Sequence, residues 1–291
     1  MSKEAECHMP DCTRLFGLDF PIADVPETAE LIARAIDRGY RFQVVTPNLE
    51  YVYWQRHNPE LGRAMREAEI VTPDGMPLVW LSKVPGARRK PLPARVTGAD
   101  LLPALCRLGG QRQWRVMLLG GAPGVAEKAA ERLVDRVPGL PAPRTLSPDM
   151  HFETDALKER RVVEAINEYR PHLLAVAMGC PRQECWIRRV LPRLDANAVM
   201  GVGATLDFLA GCQRRAPEWM QNAGLEWLWR LASSPRRLGK RYLLTYPRSI
   251  PLIVHELMHK PCESELVDEP WWRTMLSQDA SGVIARKPDV G

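Results

Sequence analysis

Short apolar runs alternate with amphipathic stretches along the chain, and no segment repeats another. From Glu27 to Arg38 the residues Leu31, Ile32, Ala35 and Ile36 share one helical face, and Gly39 supplies the stop. Arg41 to Thr46 predicts a strand. Asn58-Pro59 predicts a helix start, with Asn as cap and Pro at the first position. Glu69 to Thr72 predicts a short strand ending in Pro73-Asp74-Gly75. Thr97 and Asp100 predict a capping box ahead of a helix over Leu101 to Leu108. Trp114 to Leu119 predicts a strand, Gly120 to Gly124 its loop, and Val125 to Val137 the next helix. The proline-rich stretch Pro138 to Pro148 predicts a connection with room for a short strand. A helix over Asp155 to Tyr169, a buried strand over Leu173 to Met178, a helix after Glu184 and a buried strand over Ala198 to Gly203 complete the series. This alternation predicts an α/β fold with a mainly parallel sheet and helices on both faces. Ligands of such sheets sit beyond the carboxyl ends of the strands.

After Gly211 the texture changes. Trp219, Trp227 and Trp229 crowd among arginines, and Ser234-Pro235 opens a new helix. Residues 1–211 therefore read as an α/β core, 212–260 as a helical appendage, and 261–291 as an acidic, loosely ordered tail with six acids against three bases. Charge sharpens this division. The chain has 291 residues and a net charge of +5, but Gly211 to Lys260 alone holds nine basic and three acidic residues. The basic character belongs to that segment, not to the whole. With 45% hydrophobic and 26% charged residues, general disorder is excluded. No apolar run reaches the ~18 residues that span a bilayer, and the first residues lack the apolar stretch of a signal peptide. The expectation is a cytoplasmic chain whose seven cysteines are thiols. Neither Cys7/Cys12 nor Cys180/Cys185 has zinc-knuckle spacing, so no structural metal is expected.

Four loops follow predicted strands and should converge: Thr46-Pro47-Asn48, Pro73-Asp74-Gly75, Gly120 to Gly124, and Gly179 to Glu184. Gly120-Gly121-Ala122-Pro123-Gly124 before a helix suits a phosphate, because bare backbone N–H groups and the helix dipole favour an anion. It reads equally well as an ordinary tight turn. Asp74 is placed to deprotonate a hydroxyl, or to cap the next helix as a turn aspartate. Thr46 and Asn48 are short polar groups at a strand end, or turn formers. Gln183 and Glu184 could hold a base or sugar hydroxyls, or be a helix start with a favourably placed acid. No Asp-x-Asp occurs, the nearest variant being Glu153-Thr154-Asp155, so a catalytic metal is disfavoured.

As a set these motifs resemble the WecG/TagA/CpsF family of glycosyltransferases. The resemblance runs from about Gly17 to Tyr242. It rests on Thr46-Pro47-Asn48-x-Glu50, Asp74-Gly75, Arg95-x-x-Gly98-x-Asp100, Gly120-Gly121-x-Pro123-Gly124 and Gly179-x-Pro181-x-Gln183-Glu184. Further along come Gly201-Val202-Gly203-Ala204-x-x-Asp207-Phe208-x-Ala210-Gly211, Arg215-Ala216-Pro217, Glu226-Trp227-x-x-Arg230 and Pro235-x-Arg237. It implies a Rossmann-like core with a membrane-docking appendage. It also implies an inverting transferase that moves a sugar, of N-acetylmannosamine or glucose type, from a UDP donor to a polyprenyl-diphosphate-linked sugar in surface-polysaccharide synthesis. Carried over by position, Asp74 is the general base. Thr46 and Asn48 lie beside the sugars, Gly120, Gly121, Gly124 and Gln183 lie near the nucleotide, and Arg95, Glu184 and Asp207 complete the substrate-binding set. Arg230, Arg237 and Arg241 face a diphosphate in place of a metal. No cofactor and no nucleic acid are implied. The chain would sit peripherally on the inner face of the cell membrane, and a homo-oligomer is permitted. Two departures bear on the sugar: Met76-Pro77 follows the aspartate, and Leu146 to Phe152 lacks the family's glycines.

Two other classes compete. A dinucleotide-dependent oxidoreductase would carry G-x-G-x-x-G and an acid about 20 residues on, which this chain lacks. A non-catalytic protein holding RNA or another anionic partner through the Trp-rich basic segment would bind RNA and not vesicles.

Overall fold

The computed structural model describes residues 10–85, 89–233, 235–258 and Trp272, with the side chains of Asn222, 236–238 and 240–245 left aside. The chain opens with an antiparallel hairpin, β1 (Cys12–Leu15) and β2 (Leu18–Pro21), turned by Phe16 and Gly17 at φ 54° and 73° and clasped by Arg14 Nε on Asp19 Oδ1 at 2.6 Å. These strands are too short to show alternation, so the pattern of apolar positions did not predict them. Helix α1 (Val25–Asp37) starts in a full capping box: Asp24 Oδ1 accepts from Glu27 N, and Glu27 Oε2 accepts from Asp24 N. Next come β3 (Phe42–Val45), α2 (Leu49–His57), α3 (Pro59–Glu67), β4 (Ile70–Val71), α4 (Met76–Ser82) and α5 (Gly98–Arg112). Of these α2 and α4 were not predicted. Asn48 Oδ1 accepting from Glu50 N at 3.0 Å is the signal for α2. The series continues with β5 (Val116–Gly120), α6 (Val125–Arg136), β6 (Arg144–Leu146), α7 (Ala156–Tyr169), β7 (Leu173–Ala177), α8 (Arg182–Val190), β8 (Ala198–Gly201) and α9 (Thr205–Leu209). The proline-rich connection does hold a short strand, β6.

Six strands pair in the order β4-β3-β8-β7-β5-β6, every pair parallel. The two faces separate residue by residue. Leu173 and Ala175 of β7 and Val116 and Leu118 of β5 join the cluster built with α1, α5, α6 and α9. Leu174 and Val176, with Met117 and Leu119, join the cluster built with α7 and α8. A period of two with both faces covered is why these strands read as continuous apolar runs. The fold is α/β and Rossmann-like, with helices on both faces. A third cluster joins the hairpin to α2, α3 and α4.

The appendage consists of α10 (Glu218–Asn222), α11 (Glu226–Ser233) and α12 (Pro235–Met258). It does not stand apart from the core. Helix α12 packs on α2 and α11, Leu252 and Ile253 join the third cluster, and Arg89 Nη2 meets Glu256 Oε1 at 2.6 Å with both side chains nearly buried. Trp272 buries its indole in the first cluster and donates from Nε1 to Pro10 O at 3.0 Å. The expectation of a loosely ordered tail over 261–291 otherwise falls outside the described residues. No helix among the described residues is long and apolar enough to cross a membrane. Among the described residues, Cys106, Cys180, Cys185 and Cys212 are free thiols.

Candidate active site

All strands of the sheet run parallel, so the loops after β3, β4, β7 and β8 open on one edge. There they line a cleft of about 1300 Å³ closed on the far side by α11. Of the residues singled out in the sequence, Thr46, Asn48, Asp74, Gln183, Asp207 and Arg230 line this cleft. A second cavity of about 60 Å³ lies beside it, walled by Asn48, Asp74, Arg95, Glu226, Trp227 and Arg230 among others. Asn48, Asp74, Glu226 and Arg230 thus belong to both spaces. Arg237 and Arg241 lie on α12, but their side chains fall outside those described.

The other sequence-picked residues sit elsewhere. Gly120, Gly121 and Gly124 do not line either cavity. All three have positive φ, Gly121 N donates to Ala177 O at 3.0 Å, and a Cβ on Gly120 would stand 2.5 Å from that same oxygen. The close approach of β5 to β7 accounts for Gly120, and positive φ accounts for Gly121 and Gly124. Glu184 is 1% exposed and lies below the floor of the cleft.

Glu184 and Gln183 form a knot. Glu184 Oε1 accepts from Gln183 Nε2 at 2.7 Å and from Tyr51 Oη at 3.1 Å, while Glu184 O accepts from Gln43 Nε2. Gln183 Oε1 accepts from Gly179 N at 3.1 Å and Gly203 N at 3.2 Å. The ends of β7 and β8 are thereby pinned to α2 and β3. Burial pushes the Glu184 carboxyl up to about 7, against the hydrogen bonds that favour its ionised form. Gly201 leaves room for the knot: a Cβ there would lie 2.7 Å from Gln183 Nε2 and 2.9 Å from Glu184 Oε1. Gly201→Ala is therefore expected to destabilise the chain by ~1–3 kcal/mol, read as a lower melting temperature with raised KM.

Asp74 follows the last residues of β4, and its N–H donates to Pro47 O at 2.9 Å, which ties the β4 loop to the β3 loop. Gly75 then caps α4. Burial raises the Asp74 carboxyl to about 6; Arg230 opposes this, Glu226 adds to it, and Arg95 and Arg215 oppose it. A group tuned there is mostly ionised at neutral pH yet basic enough to take a proton. Arg230 stacks over the Phe208 ring at 5.5 Å and makes no ion pair with another described residue. It is a cation held in place and left uncommitted.

Sequence reasoning gave no role to Tyr51, Arg215 or Glu226, although Arg215 and Glu226 stand inside motifs that carried the resemblance. Arg95, picked as a substrate ligand, is occupied by protein: Nη1 donates to Glu226 Oε2 at 2.6 Å and Nη2 to Gln221 Oε1 at 2.9 Å. No three His, Cys, Asp or Glu side chains gather as a metal site among the described residues.

Residues 13–262 match the model of the family described as the glycosyl transferase WecG/TagA/CpsF family. Among characterised proteins, the chain is 28% identical over 242 residues to the N-acetylglucosaminyldiphosphoundecaprenol N-acetyl-beta-D-mannosaminyltransferase of Bacillus spizizenii, covering 82% of this chain and 90% of that one. It is 27% identical over 245 residues to the protein of the same description from Staphylococcus aureus strain MW2, covering 84% and 91%.

Proposed function

The chain belongs to the WecG/TagA/CpsF family of glycosyltransferases, and from that premise we propose that it transfers a hexosyl group from a UDP-sugar to a polyprenyl-diphosphate-linked sugar, with inversion. The observation that carries this reading is the pair Asp74 and Arg230, a tuned carboxylate and an uncommitted guanidinium on the wall that two cavities share. Asp74 takes the proton of the acceptor hydroxyl. The freed oxygen pair bonds to the anomeric carbon from the face opposite the nucleotide. The bond from that carbon to the diphosphate oxygen breaks, and the departing charge is met by Arg230. Inversion follows from a single displacement. Thr46, Asn48 and Asp207 contact the sugars or the nucleotide, and Gln183 holds the floor beneath them.

The relatives' descriptions name an N-acetylmannosaminyl group and an N-acetylglucosaminyl-diphosphoundecaprenol, which makes UDP-N-acetylmannosamine the first donor to try. Met76 and Pro77 beside Asp74 in the small cavity bear on that choice. The test is a screen of UDP-sugars against synthetic polyprenyl-diphosphate-linked sugars, read by product mass. Transfer from one donor with inverted configuration is expected, and no product from any UDP-sugar would remove the reading. The same assay in EDTA should give unchanged rates. Loss of activity with rescue by Mn²⁺ or Mg²⁺ would show that a metal, and not arginine alone, meets the diphosphate.

In this reading the lipid-linked acceptor brings the chain to a membrane surface, as a peripheral protein on the inner face. Ile250, Val254, Leu257 and Met258 support this as an exposed apolar stripe on α12 at helical spacing, within the segment of excess positive charge. Val254→Glu with Met258→Glu is expected to release the chain from anionic vesicles. Melting temperature should not change, nor should turnover on a short-chain soluble acceptor. Undiminished vesicle binding would move the docking surface elsewhere.

A further inference from the structure

Helix α11 carries Arg230, yet no covalent constraint fixes how that helix is turned against the core. The structure supplies a polar one. Glu226 in the first turn of α11 lies one helical turn before Arg230, so the two side chains share a face. Arg95, from the segment before α5, grips Glu226, and Arg215, from the connection after α9, lies alongside. Arg95 Nη1 donates to Oε2 at 2.6 Å, with the two side chains 14% and 17% exposed, and Arg215 Nε lies 3.9 Å from Oε1. Each arginine is itself anchored. Arg95 reaches Gln221 Oε1 on α10, and Gln221 Nε2 donates in turn to Ala216 O at 2.7 Å. Arg215 forks onto Asp100, with Nη2 to Oδ2 at 2.7 Å, and also donates to Thr97 Oγ1 at 3.3 Å at the start of α5. The neighbour of Arg95 completes the link to the reacting centre: Val96 N donates to Pro73 O at 2.9 Å, one residue before Asp74.

We propose that Glu226, held by Arg95 and faced by Arg215, is a latch that fixes the rotation and register of α11 and so presents Arg230 to the space beside Asp74. Arg95, Arg215 and Glu226 are then positioning residues for sugar transfer and not ligands of the sugar. The inference rests on the assignment of Asp74 and Arg230 above. A side chain misplaced by about 1 Å from its productive position can cost ~100-fold in rate. Opening the latch should therefore lower kcat by up to that factor, with a smaller change in donor KM.

The charges around Asp74 make the latch visible in a second way. Asp74 is faced by Glu226 and Arg230 from α11, Arg95 from the segment before α5, Arg215 from the connection after α9 and Tyr51 from α2. Glu226→Gln removes an acid and should move the acid limb of the kcat/KM profile down in pH. Arg95→Met removes a base and should move it up. Both should lower kcat at the plateau, a combination that general loosening does not produce.

The experiment uses the full chain with Glu226→Gln, Arg95→Met and the double variant, where Gln keeps the shape of Glu. In kinetics, the double variant should be no slower than the slower single, because either change alone opens the same latch. Losses that multiply, or a Glu226→Gln variant with normal kcat, would overturn the proposal. In hydrogen exchange, amides of residues 219–233 should exchange faster in both single variants while those of β5, β7 and β8 keep their protection. Unchanged exchange in 219–233 would also overturn it. The exchange arm needs no turnover. If the unaltered chain transfers no sugar but exchange responds as stated, the functional reading falls and the latch stands.

Discussion

Asp74→Asn is expected to lower turnover at pH 7 by at least ~100-fold, within the range that loss of a general base produces. Affinity for UDP should change little, because the carboxylate addresses the acceptor hydroxyl. The pH profile supplies a companion result. With the carboxyl raised to about 6, the active, ionised form is lost as pH falls through that value. kcat/KM of the unaltered chain should therefore drop with unit slope below about pH 6, and the residual rate of the variant should lack that limb. Stability should move the opposite way. A carboxyl whose folded pKa exceeds its ordinary value of 3.8 contributes stability that is full below 3.8 and is lost as pH rises through about 6. At pH 7 the buried charge costs up to about 3 kcal/mol. Asn, always neutral, escapes this cost. The variant should thus melt a few degrees higher at pH 7 and at nearly the same temperature near pH 3, where both side chains are mostly uncharged, folded or unfolded. A dead enzyme that is more stable at neutral pH marks a functional charge. Near-normal turnover would remove Asp74 from the role of base, and a less stable variant at pH 7 would show that its role is in the fold.

The sheet was legible because its strands are covered on both faces and appear as unbroken apolar runs between turns. The convergence of the Thr46, Asp74 and Gly179 loops followed from strand direction alone. What escaped has specific causes. Strands β1 and β2 have four residues each, too few for a period of two to stand out, and their turn uses Phe16, a residue seldom found at positive φ. Gln183 and Glu184 were visible as polar residues at a helix start, but the direction of their side chains was not. Inward-turned Glu184 is balanced by Tyr51, 133 residues earlier in the chain. Arg95 and Glu226 meet across 131 residues, a pairing that no local spacing encodes. Glycines at 120 and 121 suited a phosphate loop by composition, whereas the backbone of β7 already fills the space before Gly120.

Arg230→Ala is the counterpart of the Asp74 experiment, and its losses should divide differently. Arg230 lines both cavities without an ion pair to a described carboxylate, and the Phe208 face holds it by a contact that leaves its five donors free. If it meets the departing diphosphate, its removal should lower kcat by ~100–1000-fold, as loss of a preorganised donor to developing charge does. UDP should also inhibit less well as a product, in contrast to Asp74→Asn. Arg230→Lys keeps a charge but not the planar fork, so it should recover only part of the rate. The coupling to Asp74 gives an independent sign. Arg230 is the largest influence lowering that carboxyl, so its loss raises the pKa and the acid limb of kcat/KM should move above 6 in the Ala variant. In the Lys variant the limb should stay near its original place. A uniform fall in rate with the limb fixed would mean that Arg230 acts far from the base. Full turnover in Arg230→Ala would transfer the burden of the diphosphate to the arginines of α12.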